Sequence, residues 1–451
     1  MQHSLICHVQ MDSTWPGCQV GLPKRLFKQL SCKPGTRMRI KISSQSVHAV
    51  IRATTREEVV FSNRIGQRLH FQGGRISVRK KGDTLEFGPV IALYVVGSPE
   101  NQPPFPNMTR MVCDTIRIGE EKGMYVYAVI PGGISVREQR AFGARGTSYD
   151  KWIWCEQPYP DIVIRKAATF PKGVYRQAKT DLNILDKSGD IMFMAKDIGD
   201  KWSVYRWLWN YEPLRKHLPY TELYKKQSQQ VVDLLEQYQS LYVKPVRGTQ
   251  GKGIYKLTNG KHNGIIRIEN TAIPSQMQKI KRTDLLKNKQ MLPISSQSYL
   301  LQQSLHLLKH QNHLTDFRWM IQKLPNQNWE ITARICRIGR EKTISTNIHT
   351  GGQAVLAEQW LYGHSNLLPR STKEILEEMD EIARSVAVAI DQKVGGVLEL
   401  GVDLGVDRNG RIWIIEVNPR PGRKMLRLCQ PEVRQLSLLR PLEYAKYAKG
   451  F

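Results

Sequence analysis

The chain has 451 residues, of which 41% are hydrophobic, and its length calls for two to four folding units rather than one core. Its net charge of +27 favours anionic ligands. The sequence holds no zinc finger, aromatic RNA-binding pattern or basic zipper, so nucleic acid is not expected as the main ligand. Seven cysteines with no C-x-x-C pair exclude a disulfide framework or a zinc site. No apolar run approaches the length of about 18 residues needed to span a membrane, and Met1 to Val20 lacks the order of a signal peptide, so a cytoplasmic protein is expected.

Residues 1–87 carry 15 Lys and Arg against five Asp and Glu. Strands are expected at Arg37–Ile42, Ala49–Ala53, Glu58–Phe61 and Ile76–Arg79, with a short helix at Pro23–Leu30 started by its proline. This predicts a small basic β-rich domain whose surface is either a solvated face or an anion site. Residues 88–200 alternate differently. Pro89–Val96 and Tyr125–Ile130 read as buried strands, Thr109–Lys122 as a helix and Ile162–Ile164 as a third strand, which together predict an α/β domain. Residues 201–451 form the expected third domain, with a central subdomain near 241–300. Val231–Gln239 reads as a helix and Lys279–Gln290 as a loop. No internal repeat is evident.

Three segments carry chemistry. In the first, a strand delivers Lys244, followed by a turn holding Gly248, Thr249, Gln250, Gly251 and Gly253. Its glycines free backbone N–H groups to meet phosphate oxygens; an ordinary glycine-rich hairpin is the equal alternative. In the second, Asn409-Gly410 is a strong hairpin turn. Read as a two-residue turn, it sets Arg408 opposite Arg411 and, counting back, Asp403 opposite Glu416, with Asn418 on the same face. Acids placed opposite each other are destabilising without a cation, and hard oxygen donors favour Mg2+. In the third, Arg318, Arg334 and Arg337 have the guanidinium forks that suit phosphate, although each alone is also read as a solvated strand residue. Asn347 and Gly351–Gly352 follow. Between residues 130 and 200, Arg137, Arg140, Arg145, Arg165 and Lys166 favour an anionic substrate.

In order, K-P-x-x-G-T-x-G-x-G, Leu301-Gln-Gln-Ser-Leu305, Asp316-Phe-Arg318, S-T-N-x-H-x-G-G and the Asp403 to Asn418 motif resemble the ATP-grasp superfamily, close to its ribosomal-protein glutamate ligase branch. The overall layout resembles the YheC/YheD endospore coat-associated proteins. The resemblance implies an ATP-grasp fold behind an α/β pre-ATP-grasp domain and a β-rich N-terminal domain. It implies a ligase that activates a carboxylate as an acyl phosphate and passes it to an amine, on small-molecule or peptide substrates. Lys201 and Lys244 would contact phosphates, Gly248 to Gly253 would cover them, and the hinge from Gln303 to Leu305 would read adenine. Asp403, Glu416 and Asn418 would hold two Mg2+, and Arg334 or Arg337 would stabilise an oxyanion. Gln303 stands where many members carry an acid toward the ribose. The rival readings are an ATP-binding coat protein without turnover, with other coat proteins as partners, and a binder of anionic polymers.

Overall fold

In Arg37–Ile42, Met38, Ile40 and Ile42 are buried while Arg37 and Arg39 are exposed. That period of two marks a strand with one face in a core. The computed structural model, which describes residues 4–146, 148–248, 252–260, 264–270, 277–287, 297–311, 313–339 and 353–451, closes seven such strands into a barrel. They are β1 (Leu5–Asp12), β2 (Gln19–Pro23), β3 (Arg37–Ile42), β4 (Gln45–Thr54), β5 (Val59–Ser62), β6 (Gly74–Lys81) and β7 (Thr84–Gly88). Helices α1 (Lys24–Gln29) and α2 (Asn63–Leu69) lie among them. Val9, Val20, Leu22, Ile40, Ile51, Phe61 and Val78 belong to its core.

The barrel contains an approximate duplication, which corrects the expectation of no internal repeat. The succession β1-β2-α1-β3 recurs as β4-β5-α2-β6. β1 runs parallel to β5 as β4 runs parallel to β2, and β1 pairs antiparallel with β6 as β4 does with β3. β2 and β5, which exchange places, pair with each other. The helices start alike, with Pro23 and Ser62 as N-caps in the same extended conformation. The repeat lies in backbone pairing and buried positions rather than in residue identity.

An α/β layer follows: β8 (Val90–Tyr94), α3 (Thr109–Glu121), β9 (Tyr125–Val129), β10 (Ile134–Ser135), β11 (Arg140–Gly146), β12 (Trp152–Gln157), β13 (Ile162–Arg165), α4 (Lys172–Lys187) and β14 (Met192–Met194). β9, β8, β13 and β14 are parallel neighbours, and β8, β9 and β13 are buried throughout, as continuous apolar runs require. Of the cations expected to favour an anionic substrate, Arg140 pairs with Glu156, Arg145 with Glu120, and Arg165 donates to the Ala167 carbonyl. Barrel and layer share one unit with residues 323–328 and 435–451; residues 197–322 and 329–434 form the other.

The second unit holds two sheets. α5 (Lys201–Trp209), α6 (Glu212–Arg215), β15 (Thr221–Leu223), α7 (Ser228–Tyr238), β16 (Ser240–Pro245), β17 (Tyr255–Asn259), β18 (Ile265–Asn270), β19 (Met277–Lys281), α8 (Arg282–Lys287) and β20 (Tyr299–Gln303) come first. Their strands make an antiparallel sheet in the order β15-β20-β16-β17-β18-β19. The loop expected at 279–290 is corrected: its described part completes β19 and forms α8. Then come β21 (Lys309–His310), β22 (His313–Lys323), β23 (Trp329–Ile338), β24 (Gln353–Leu356), α9 (Ala357–Gly363), α10 (Thr372–Val394), β25 (Glu399–Val406), β26 (Ile412–Asn418) and α11 (Lys424–Cys429), and last α12 (Pro431–Ala448), which from residue 435 belongs to the first unit.

The second sheet has the path β24-β23-β22-β25-β26. A capping box of Ser371 and Glu374 starts α10. Its Ile375, Met379, Ile382, Val386 and Ile390 share a core with Phe317, Trp319, Ile321, Leu400, Val402 and Leu404 of β22 and β25. Alternate residues of those strands therefore project from the opposite face. Among the described residues no helix is long and apolar enough to cross a membrane.

Ile51→Ala, in the barrel interior, should cost about 2–5 kcal/mol in urea unfolding. Arg52→Ala, its exposed neighbour, should change stability by no more than about 0.5 kcal/mol in the same assay.

Candidate functional site

The β25–β26 hairpin sets the site. Asp407 N–H donates to the Arg411 carbonyl and Gly410 N–H to the Asp407 carbonyl, both at 3.0 Å. The loop is thus Arg408–Gly410, with Gly410 at φ +75, rather than the expected two-residue turn. The pairs run Val406 with Ile412, Gly405 with Trp413 and Leu404 with Ile414. A bulge then skips Ile415, and the next pairs are Asp403 with Glu416 and Gly401 with Asn418. The longer loop shifts the register by one and the bulge shifts it back. Asp403 therefore lies opposite Glu416, as the simpler turn also required.

Asp403 is only 2% exposed. Arg318, its neighbour across β22, donates Nε and Nη2 to the two carboxylate oxygens, the latter at 2.7 Å. Arg337 Nη2 lies 3.0 Å from Asp403 Oδ2, and Asp316 holds the same guanidinium. Asn418 Nδ2 is 3.4 Å from Asp403 Oδ2. Burial opposes ionisation of Asp403, but Arg318 and Arg337 outweigh it and hold the carboxyl below its ordinary range. Burial likewise opposes the charge on Arg337, and Asp316 and Asp403 override it.

Lysines approach from the neighbouring elements. Asp200 caps α5 by accepting from Ser203 N–H at 2.9 Å, which sets Lys201 in the first turn. Lys201 Nζ lies 3.0 Å from Glu416 and donates to the Gly248 carbonyl at 2.7 Å. Lys244 on β16 donates to Gln302 of β20. Burial pulls Lys244 down to about 8; Glu416 opposes the shift and Lys201 adds to it. The cluster thus sets Asp316, Asp403 and Glu416 against Lys201, Lys244, Arg318 and Arg337, one positive charge in excess.

Other expected residues fall elsewhere. Gln303 is tied to Tyr220, whose N–H donates to its Oε1 at 3.3 Å and whose carbonyl accepts its N–H at 2.9 Å. Leu305 lies half-buried just beyond β20, and Gly253 has φ +71, which favours glycine. Thr249, Gln250, Gly251 and Asn347 lie outside the described residues. Arg334 is a correction. It sits three residues from Arg337 on one strand, so it points to the opposite face. There its forked donors meet Asp380 at 2.8 and 2.6 Å and Glu358 at 2.9 Å. Trp319 Nε1 donates to the same Asp380 at 2.8 Å. Sequence reasoning gave no role to Asp316 or Gln302, the partners of Arg337 and Lys244. The signal for Asp316 was its spacing of two from Arg318, which puts both on one face.

Two carboxylates and an amide oxygen are hard donors that suit Mg2+. Among the described residues no three His, Cys, Asp or Glu gather at one point, since the third donor here is Asn418.

An antiparallel sheet bearing Lys244 and a core sheet bearing Asp403, Glu416 and the paired arginines make this an ATP-grasp fold. Residues 190–448 match the family described as YheC/D like ATP-grasp, and the chain belongs to that family. Endospore coat-associated protein YheC of Bacillus subtilis is 24% identical over 301 residues, covering 66% of this chain and 80% of that protein. YheD of the same organism is 26% identical over 380 residues, covering 81% and 80%. Among solved structures, D-alanyl-alanine synthetase A from Vibrio cholerae matches 80% of this chain and 99% of its own, at 15% identity and a TM-score of 0.47. The VanG D-Ala:D-Ser ligase from Enterococcus faecalis matches 79% and 99%, at 11% identity and a TM-score of 0.47.

Asp380→Ala strands the buried Trp319 N–H and should cost about 1–3 kcal/mol of stability in urea titration. The far face of the sheet should be untouched, so Asp403 should keep its depressed pKa by carboxyl NMR.

Proposed function

We propose that this chain binds Mg-ATP on the Asp403 face and uses it to join a carboxylate to an amine or similar nucleophile. The reading is carried by Asp403, Glu416 and Asn418 standing among four cations that, with Asp316 counted, leave one positive charge in excess. A polyphosphate supplies the missing negative charge. Lys201 and Lys244 hold its oxygens, the segment from Gly248 to Gly253 covers them, and the backbone from Gln303 to Leu305 meets the adenine. Held by Asp403, Glu416 and Asn418, Mg2+ supplies neutralisation of charge on the phosphoryl oxygens. Arg318 orients the γ-phosphoryl group.

A substrate carboxylate oxygen attacks the γ-phosphorus and ADP leaves, which gives an acyl phosphate. The amine attacks the acyl carbon, loses a proton, and phosphate departs. Arg337, fixed in direction by Asp316, faces the oxyanion that forms between these two events. The acceptor and donor are small molecules or peptides. The names of YheC and YheD extend the proposal to a role at the endospore coat.

Calorimetric titration with a nonhydrolysable ATP analogue tests the reading. Binding should require Mg2+ and be lost in Asp403→Asn/Glu416→Gln, and ADP release should then appear in a screen of acids and amines. A folded wild type that binds no nucleotide overturns it.

Lys244 adds a pH signature. Above about pH 8 the free protein has lost this proton while bound phosphate restores it, so affinity should fall and proton uptake on binding should rise. Lys244→Arg should flatten both, measured in buffers of different ionisation enthalpy. With no ligand the sign reverses: the unfolded chain keeps the proton that folded Lys244 has lost, so stability rises from about pH 8 toward the ordinary lysine range.

A further inference from the structure

The barrel's duplication relates the β3–β4 surface to the β6–β1 surface. Within the first unit the β6–β1 surface is covered in part, around Ser77 of β6. Ser77 donates its N–H and its hydroxyl to the Gly123 carbonyl at 2.8 and 2.9 Å, and Lys446 Nζ reaches Ser77 Oγ at 2.8 Å. A Cβ on Gly123 would stand 2.8 Å from Ile6.

The corresponding β3–β4 surface is open and basic. Arg37 and Arg39 of β3 and His48 and Arg52 of β4 are all exposed on it. Arg39 lies directly opposite His48, and Arg37 lies opposite Val50, one outward position from Arg52. Among the described residues none of these four side chains makes an ion pair or hydrogen bond. Lys41, next along β3, is 3.7 Å from Glu86, but Glu86 is already shared with Arg79 and Lys81.

We propose that this face binds a phosphodiester polymer along its backbone, without reading monomer identity. Guanidinium forks match phosphate oxygens, and outward residues recur every ~7 Å along a strand, which lets a row of them meet successive charges of an extended chain. No Phe, Tyr or Trp stands among β3 and β4 to stack a base. An acidic polypeptide fits less well. The barrel is closed, so no strand edge is free to pair with a peptide backbone, and the face offers only half-buried Val50 as an apolar hold.

The test uses the full chain, a labelled oligothymidylate and a glycerol-phosphate polymer, followed by fluorescence anisotropy across a salt series. Arg37→Ser/Arg39→Ser/Arg52→Ser should lose at least about tenfold in affinity and flatten the log–log salt slope by about 2, near 0.7 for each lost phosphate contact. A control with the same charge change on α1 and α2, Lys28→Ser/Arg64→Ser/Arg68→Ser, should stay within about threefold of wild type. Binding of either polymer in this pattern supports the site and says which source of phosphodiester it takes. Equal weakening in both variants reduces the effect to net charge and overturns the proposal. So does poly-glutamate of matched length bound as tightly through the same three arginines. Unchanged melting of both variants keeps the comparison free of unfolding.

Discussion

Burying the carboxylate of Asp403 is the constraint around which the second unit is arranged. A carboxylate at 2% exposure, with Glu416 directly across the ladder, needs cations within hydrogen-bond reach. The fork of Arg318 supplies both oxygens with donors, and Arg337 adds a third. Arg337 is itself buried and needs Asp316, so one acid brings two arginines and a second acid onto the same face. All sit at alternate positions of their strands, which leaves the intervening residues apolar for α10. The division of the sheet into a charged face and an oily face follows from period-two geometry, and β23 carries one arginine on each side, serving different ends. Arg337 attends the acid pair, while Arg334 locks α9 and α10 to the back of the sheet through Glu358 and Asp380.

The excess of one positive charge around the acid pair has a chemical consequence. A divalent cation approaching alone meets Arg318, Arg337 and Lys201 already seated on the oxygens it needs. An anion arriving with the cation gives those side chains somewhere else to bind. In the proposed function, metal and nucleotide would be coupled through the same seven groups, with no domain movement needed to explain it. Lys244 belongs to this balance. Burial is the main cause of its depressed pKa, with Lys201 adding to the shift and Glu416 opposing it; in the proposed complex a phosphate would oppose it as well.

Much of this was legible in the sequence, for reasons specific to each element. The runs at β8 and β9 and the periodic stretch at α3 announced themselves because burial on both faces, or on one stripe, leaves an unambiguous pattern. The acid pair was readable because Asn409-Gly410 fixed the turn to within one residue. Arg334 was misjudged although the information was present: its odd spacing from Arg337 excludes a shared face. The barrel's duplication was not readable. Its two halves agree in strand pairing and in which positions are buried, whereas Pro23 and Ser62 share no chemistry beyond an extended backbone before a helix. β1 and β2 escaped notice because polar and apolar residues are mixed along them, and only closure of the barrel makes an interior for one side.

The bulge at Ile415 explains how one strand serves both faces. Ile412 and Ile414 belong to the core under α10, and in a regular strand Glu416 and Asn418 would follow them there. Skipping one residue reverses the alternation, so Val417 packs toward that core while Glu416 and Asn418 turn to Asp403. The apolar half of β26 therefore supports the fold, and the polar half belongs to the site. A three-residue loop without the bulge would leave the register one residue off, with acid facing oil. A bulge without the longer loop would do the same. The two irregularities are individually destructive and jointly silent, which is why a count from an idealised turn reached the right pair of acids through a geometry the chain does not use.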